Sequence, residues 1–294
     1  MRELVFIHGR AQQQKDPAGI KKAWIEAWRY GLAKSNLELP IEETQIRFPY
    51  YGDTLDQLSR GMDESDAARI IIMGELSDAD EREFVMAYLS DMQDKLGISD
   101  ADVRAQAGVK VNEMGPQDWG WVHLVLKTLD SSVPGASGSS VALFTHDVYQ
   151  YLKQSGIRDV MDEGVRKAFS PGVETVVVSH SLGTIVAYNV LRRDAEMLGL
   201  KVPLFMTLGS PLGVNVVRQS LTPIRYPKRA GMWVNAFDPR DIVALYPLDA
   251  AHFGVNPTIE NIPDVVNWTD NRHGIAGYLD NQAVARRIYD ALTI

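Results

Sequence analysis

The chain has 294 residues, enough to bury a large core, and this length fits one α/β domain with an insertion. Its net charge of -8 at pH 7 disfavours nucleic acid or an anionic membrane as a partner, because either would need a basic face. The absence of cysteine excludes disulfides, thiolate chemistry and cysteine-bound metals.

The N-terminal part of the chain alternates strand and helix patterns. Residues 2–7 predict a short buried strand, residues 20–34 have apolar side chains at helical spacing, and residues 44–48 predict a second strand. Trp24 and Trp28, four positions apart in the helix, are interpreted as core residues. Such alternation is typical of a parallel sheet with helices on its faces.

The alternation stops between residues 54 and 140. Residues 77–96 and 119–129 predict helices, and no segment of this region has a strand pattern. We interpret residues 54–140 as a helical cap or lid, an insertion that would exclude water and shape a pocket. The alternative is an insertion that only extends the core. With residues 54–140 as a cap or lid, residues 1–53 and 141–294 would form the α/β core, with a mostly parallel sheet flanked by helices.

The second half of the chain resumes the alternation of strands and helices. Helical periodicity returns after the insertion and is broken near Gly156. The elements predicted after it are a strand over 176–178, a helix over 183–198, strands over 203–208, 232–237 and 265–268, and a final helix from about Asn281.

A short turn joins the first of these strands to its helix, with the sequence Ser179-His180-Ser181-Leu182-Gly183. To lift a serine hydroxyl above a sheet, a chain needs a buried strand, then a sharp turn with small residues on both sides of the serine, and then a helix. The helix N-terminus would also favour negative charge that develops at Ser181. The alternative is an ordinary strand-turn-helix with an incidental serine.

A nucleophilic serine needs a histidine as its base and a carboxylate that orients the histidine. Where a serine is presented on such a turn, the acid and then the histidine follow it along the chain. Only His252 and His273 lie after both Ser181 and a downstream acid. His273 follows a predicted strand and precedes the last helix, whereas no strand immediately precedes His252. We therefore predict His273 as the base and interpret His180 as a packing or hydrogen-bonding residue.

Two aspartates follow the predicted strand at 232–237. Asp238 leaves the strand directly before a proline, a position where it would form the turn. Asp241 lies one turn further on, before two apolar residues that can anchor the loop, so Asp241 is favoured and Asp238 stays open. Asp249 and Asp270 are interpreted as solvated loop residues.

The sequence has no motif typical of a cofactor, a metal site or a membrane span. Asp238, Asp241 and His252 have no spacing typical of a metal site, and the chain has neither a P-loop nor a G-x-G-x-x-G motif. No apolar run approaches the ~20 residues of a membrane span. No signal peptide precedes the first strand, so we expect a cytoplasmic location.

These motifs resemble those of the α/β-hydrolase fold serine hydrolases, especially the lipase and esterase branch. The resemblance covers residues 1–53 and 141–294, and the chain departs from the family pattern at Ser179, where glycine is usual. The segments that match are Phe6-Ile7-His8-Gly9, Val177-Val178-Ser179-His180-Ser181-Leu182-Gly183-Thr184, Asp241-Ile242-Val243, and His273 with Tyr278-Leu279.

The resemblance implies an oxyanion hole and a substrate contact as well as a triad. Backbone N–H groups of Leu182 and Arg10 would hold the oxyanion, and His8 and Gly9 would contact the substrate. A family preference for Asp-Ile-Val at the acid turn further favours Asp241. No cofactor is expected.

The resemblance implies hydrolysis of a carboxylic ester, and the apolar insertion predicts a small-molecule substrate with a hydrophobic acyl group. Lipase, carboxylesterase, thioesterase, amidase and acyltransferase activities stay open, because they use the same triad. Arg10 would either pair with an anionic part of the substrate or be exposed or ion-paired. The rival is a binding or regulatory protein on a hydrolase scaffold, without chemistry of its own.

Overall fold

The protein is described by a computed structural model that covers residues 2–9, 16–51, 79–107, 119–133, 135 and 137–293. Its strands are β1 (Glu3–Ile7), β2 (Ile46–Arg47), β3 (Thr175–His180), β4 (Val202–Leu208), β5 (Ala230–Ala236) and β6 (Glu260–Ile262).

In the described residues these six strands form one sheet in the order β2-β1-β3-β4-β5-β6. Every neighbouring pair is parallel. The predicted α/β architecture is therefore confirmed, and the sheet is wholly parallel in the described part of the chain.

Helices cover both faces of the sheet. They are α1 (Pro17–Ala33), α2 (Ala79–Leu96), α3 (Asp100–Ala107), α4 (Trp119–Ser132), α5 (Gly138–Lys153), α6 (Ser155–Arg166), α7 (Leu182–Arg193), α8 (Asn215–Ser220), α9 (Ala250–Phe253), α10 (Ile275–Leu279) and α11 (Gln282–Thr293).

Strand alternation divides the core into two layers. In β1, Leu4 and Phe6 pack with α1, α10 and α11. Val5 and Ile7 point to the other face and belong to the layer that includes α2, α4, α5, α6 and α7. A strand buried on both faces is continuously apolar, and for this reason residues 4–7 of β1 and 176–178 of β3 are all apolar.

Helix α1 shows how the sequence fixes an element against the sheet. Asp16 caps it by accepting hydrogen bonds from the N–H groups of Ala18 and Gly19, and proline occupies the first turn, where its missing N–H costs nothing. Trp24 and Trp28 lie 5.2 and 6.3 Å from the Phe6 ring, centroid to centroid. Their interpretation as core residues is confirmed.

The region predicted as a cap contributes helices to one of the two core layers, the layer that contains Val5 and Ile7 of β1. The helices expected at 77–96 and 119–129 are present as α2 and α4, and both contact α5. Residues 52–78 and 108–118 lie outside the described part, so the division into core and cap stays a prediction. In the described ranges, no helix is long and apolar enough to cross a membrane.

Two local predictions need correction. The strand expected at 265–268 is wrong: the sixth strand is Glu260–Ile262, and the backbone N–H of Asn267 donates to the Asp238 carboxylate instead of to a neighbouring strand. The strand expected at 44–48 forms sheet pairs only at Ile46–Arg47. The helix break predicted near Gly156 is present at Gln154, between α5 and α6.

The chain approaches itself closely where β1 ends beneath the start of α7. A Cβ atom on Gly183 would lie 2.4 Å from the His8 carbonyl oxygen and 2.6 Å from that of Ile7. Both neighbours are backbone atoms, which cannot rotate away. Glycine at 183 is therefore required for α7 to pack this closely on β1.

We predict that Gly183→Ala lowers the free energy of unfolding by about 1–3 kcal/mol, the usual cost of overpacking. Urea unfolding measures it. The matched control is Gly164→Ala in α6, where an added Cβ meets nothing within 4 Å, so that a helical alanine should raise stability by roughly 0.5–1 kcal/mol. Equal effects of the two substitutions would contradict the close approach.

Candidate active site

The site lies at the carboxyl ends of β1 and β3, where the strand order of the sheet reverses. β1 has β2 on one side and β3 on the other, so the connections after β1 and β3 leave in opposite directions and open a crevice between them. Gly9 follows β1 and Ser181 follows β3. A Cβ atom on Gly9 would lie 2.6 Å from the Ser181 Cβ and 3.1 Å from its Oγ.

Ser181 has a strained backbone. Its φ of 57° and ψ of -133° are unusual for a residue with a side chain. The turn is held by hydrogen bonds on both sides: the Ser181 N–H donates to the Leu208 carbonyl at 3.1 Å, and the Thr184 N–H donates to the Ser181 carbonyl at 2.9 Å. This geometry is that of the sharp strand-to-helix turn predicted from the sequence.

Ser179, the departure from the family pattern, has a specific partner. Its hydroxyl donates a hydrogen bond of 3.0 Å to the Met206 carbonyl, on the neighbouring strand β4. The side chain is fully buried. The position therefore accepts a hydroxymethyl group, because a backbone acceptor satisfies the buried hydroxyl.

Three side chains form one chain of hydrogen bonds at the mouth of the crevice. The Ser181 hydroxyl lies 2.8 Å from His273 Nε2, and His273 Nδ1 lies 2.7 Å from Asp241 Oδ2. With Nδ1–H donating to the carboxylate, Nε2 is left as the acceptor for the serine proton. The structure thus brings together the three residues predicted for the triad.

Asp241 is held by donors on both carboxylate oxygens. Oδ1 accepts the Val243 N–H at 2.8 Å, and Oδ2 accepts the Tyr278 hydroxyl at 2.6 Å in addition to His273. Burial, together with the charge of Asp241 beside it, raises the pKa of Tyr278 well above its usual value. The phenol therefore remains a donor and fixes the carboxylate against rotation.

The alternative acid and base candidates have other partners. Asp238 accepts hydrogen bonds from Arg240, at 2.9 Å to Nη2, and from the Asn267 N–H, and it contacts neither histidine candidate through a hydrogen bond of the described structure. His252 bonds to Asp249 at 2.8 Å between Nδ1 and Oδ1. Asp238 thus fastens the loop after β5, as a turn former would.

The hydrogen bonds from Arg240 and Asn267 also change the pKa of Asp238. Burial alone would raise it, but the hydrogen bonds and charge of Arg240, with the Asn267 N–H, lower it below its ordinary value. Asp238 is therefore ionised in the folded protein and stabilises it as a carboxylate.

His180 forms a hydrogen bond with the backbone of His273. Its Nε2–H donates to the His273 carbonyl oxygen at 2.7 Å, and the two ring centroids are 4.7 Å apart. Burial is the main reason that the pKa of His180 is well below its ordinary value, and the charge of His273 adds to the effect. His180 is therefore a neutral donor, in agreement with its interpretation as a hydrogen-bonding residue.

The predicted oxyanion and substrate residues lie around Ser181 to different extents. Leu182 is the first residue of α7, so its N–H has no partner within the helix. Gly9 contacts Ser181, whereas Arg10 lies outside the described residues. His8 is fully buried, donates from Nδ1 to the Gly9 carbonyl at 2.7 Å, and accepts the Tyr51 N–H at Nε2.

The ring of His8 is neutral and enclosed. It stacks on Tyr51 with a centroid separation of 4.1 Å, and burial lowers its pKa to about 4. In this position it supports the loop that holds Gly9. A direct substrate contact by His8 stays a prediction.

Sequence reasoning missed one residue of the site. Gly209, after β4, has a φ of 55°, and a Cβ atom there would lie 3.1 Å from both Asp241 Oδ2 and His273 Cε1. Its absent side chain gives the acid and the histidine room to meet. The only sequence signal was the Gly-Ser-Pro turn after a predicted strand.

A cavity of about 150 Å³ opens beside the hydrogen-bonded residues. Ser181, His180 and His273 line it, and so do Val141 and Phe144 of α5. A larger cavity, of about 450 Å³, lies among α2, α3 and α4, but none of the triad candidates lines it. The smaller cavity is therefore the candidate binding site.

In the part of the chain that the structure describes, no group of three or more His, Asp or Glu side chains is arranged to hold a metal ion. Comparisons with protein-family models, with curated proteins and with solved structures find no match to this chain. The interpretation of the site therefore depends on its geometry. That geometry supplies a serine hydroxyl, a base positioned to take its proton, and a carboxylate to stabilise the resulting cation.

We predict that the stability contributed by Asp238 depends on pH. A carboxylate whose pKa is lower in the folded state stabilises the protein above its unfolded pKa of about 3.9 and loses this effect as the pH falls through the folded value. Asp238→Asn should therefore lower the free energy of unfolding at about pH 6, and the difference from wild type should shrink toward about pH 3. Urea unfolding at several pH values measures this, and a difference that does not change with pH would contradict it.

Proposed function

We propose that this protein is a serine hydrolase that cleaves carboxylic esters through an acyl-enzyme. One observation carries the proposal: an unbroken chain of hydrogen bonds runs from Ser181 through His273 to Asp241, beside a cavity. The strained backbone of Ser181 adds support, because strain of this kind is concentrated at functional sites.

The parallel sheet also supports the proposal. An α/β-hydrolase fold has the nucleophile, the acid and the histidine in this chain order, each after a strand at the carboxyl edge. Ser181 follows β3, Asp241 follows β5, and His273 follows β6, so the architecture is compatible with that fold. A relationship to the lipase and esterase branch is part of the proposal.

In the proposed reaction, His273 Nε2 takes the proton of Ser181 as Oγ attacks the ester carbonyl. Asp241 stabilises the imidazolium through Nδ1. His273 then gives the proton to the alcohol oxygen as the carbon–oxygen bond breaks, which leaves the acyl group on Oγ. Water repeats the sequence and releases the acid, so atoms and protons balance over the cycle.

Negative charge develops on the carbonyl oxygen during each attack. The start of α7 faces this charge with the N–H of Leu182, which has no partner within the helix, and with the positive end of the helix. The N–H of Arg10, the second donor expected from the sequence, completes the proposed oxyanion hole. Its position is outside the described residues.

We predict that wild type releases a burst of p-nitrophenol from p-nitrophenyl acetate, followed by steady turnover. Ser181→Ala should lower turnover by about 10⁶-fold, the loss seen when a triad nucleophile is removed from a serine protease. Stopped-flow absorbance gives the burst and the steady rate, and circular dichroism confirms that the variant folds. Turnover of the folded variant at the wild-type rate would disprove the proposal.

The two aspartates give a second prediction with a matched control. Asp241→Asn should lower kcat by about 10⁴-fold, because an amide favours the wrong histidine tautomer. Asp238→Asn should lower stability but leave kcat within about threefold of wild type. Steady-state kinetics at a temperature where both variants are folded measures this. A larger loss in Asp238→Asn than in Asp241→Asn would reverse the assignment.

A further inference from the structure

The cavity beside Ser181 has apolar walls. Val141 and Phe144 of α5 line it together with Ile242 and Val243 of the loop that carries Asp241, and Ser181 lines the same cavity. Phe144 is buried, and its ring lies 6.4 Å from that of His273 in an edge-on arrangement. A substrate group that enters this space therefore lies against hydrocarbon immediately beside the reacting bond.

No described residue that lines the cavity is Lys, Arg, Asp or Glu, although such residues make up 23% of the chain. The polar lining groups are the hydroxyls of Ser137, Ser140 and Ser181 and the amide of Asn271, besides the two histidines. Of those, His180 is neutral because burial lowers its pKa. A charged group placed here would lose its hydration without gaining an ionic partner among the described residues that line the cavity.

The volume limits the size of the group. An apolar cavity of about 150 Å³ in another protein holds one benzene molecule, which has six carbon atoms. The cavity here has a volume of about 150 Å³. Roughly six carbon atoms therefore fill it, and a longer chain must extend into solvent or displace a wall.

Phe144 lies between the cavity, which it lines, and the core residue Tyr88. Its ring packs edge-on against the fully buried Tyr88, with the centroids 6.1 Å apart. Removal of the phenyl group would extend the space from the cavity toward Tyr88. Phe144 therefore sets the length of the group that the cavity accepts.

We propose that the substrate is an uncharged ester with an apolar group of about four to six carbon atoms in this cavity, and that Phe144 limits its length. The proposal rests on the proposed ester hydrolysis. The group belongs to the acyl half or to the alcohol half of the ester, and the experiment distinguishes the two.

The test compares two series of esters. One varies the acyl chain of p-nitrophenyl esters from two to twelve carbons, and the other varies the alkyl chain of acetate esters over the same range. In the series whose variable half enters the cavity, kcat/KM should rise about fourfold for each buried methylene and reach its maximum at four to six carbons. A series that rises steadily to twelve carbons, or two flat series, would overturn the proposal.

Charge is tested with a matched ester of the half that shows the maximum. For the acyl half this is mono-p-nitrophenyl adipate, which has the six-carbon chain of the hexanoate with its terminal methyl group replaced by a carboxylate, and for the alcohol half it is an acetate whose alkyl chain ends in a carboxylate. The charged ester should have a kcat/KM lower by on the order of 100-fold or more. Equal values for the charged and uncharged esters would overturn the proposal.

Phe144→Ala should move the maximum to longer chains by two or more carbons. Phe169→Ala, which removes a partly buried phenyl group that does not line the cavity, should leave the profile unchanged. If Phe144→Ala does not fold, Val141→Phe replaces it and should move the maximum toward two carbons. An unchanged chain-length profile in the folded variant would contradict the claim that Phe144 limits the length of the substrate group.

The same data separate the two levels of the proposal. Turnover of p-nitrophenyl acetate that disappears in Ser181→Ala, combined with a flat chain-length profile, would contradict only the substrate inference. Absence of any turnover that depends on Ser181 would contradict the proposed hydrolysis itself.

Discussion

The close contact between the end of β1 and the turn after β3 is the constraint on which the site depends. Gly9 touches Ser181, and Gly183 lets α7 begin directly over the carbonyl groups of Ile7 and His8. Only residues without a Cβ fit at these two points. The contact stabilises the positive φ of Ser181, which the serine would not adopt in an open loop, and so directs its hydroxyl out of the sheet.

A second group of contacts turns this exposed hydroxyl into a positioned one. Parallel strands bring the loops after β3, β5 and β6 to one edge, and hydrogen bonds then fix the side chains that those loops carry. Tyr278 and the Val243 N–H hold Asp241, while His180 holds the backbone of His273. Because Asp241 and the His273 backbone have further partners, the acid and the base are positioned before any substrate binds.

Much of this arrangement could be predicted from the sequence, because it depends on local patterns. The apolar runs of β1 and β3 and the small residues around Ser181 are recognisable without long-range information. The contact from His180 to His273 spans 93 positions and that from Tyr278 to Asp241 spans 37, so no periodicity reveals them. The expected strand at 265–268 is absent for the same reason, since the Asn267 N–H in this segment donates to the distant Asp238 side chain and not to a sheet neighbour.

The central claim is that Ser181 is an activated nucleophile, and covalent labelling tests it most directly. A fluorophosphonate probe reacts with a serine whose proton is taken by a neighbouring base, and intact-mass analysis counts the adducts. The account predicts one adduct on wild type, located at Ser181 by peptide mapping, and none on folded Ser181→Ala. Folded wild type that stays unlabelled with and without detergent, or an adduct that persists in the variant, would contradict it.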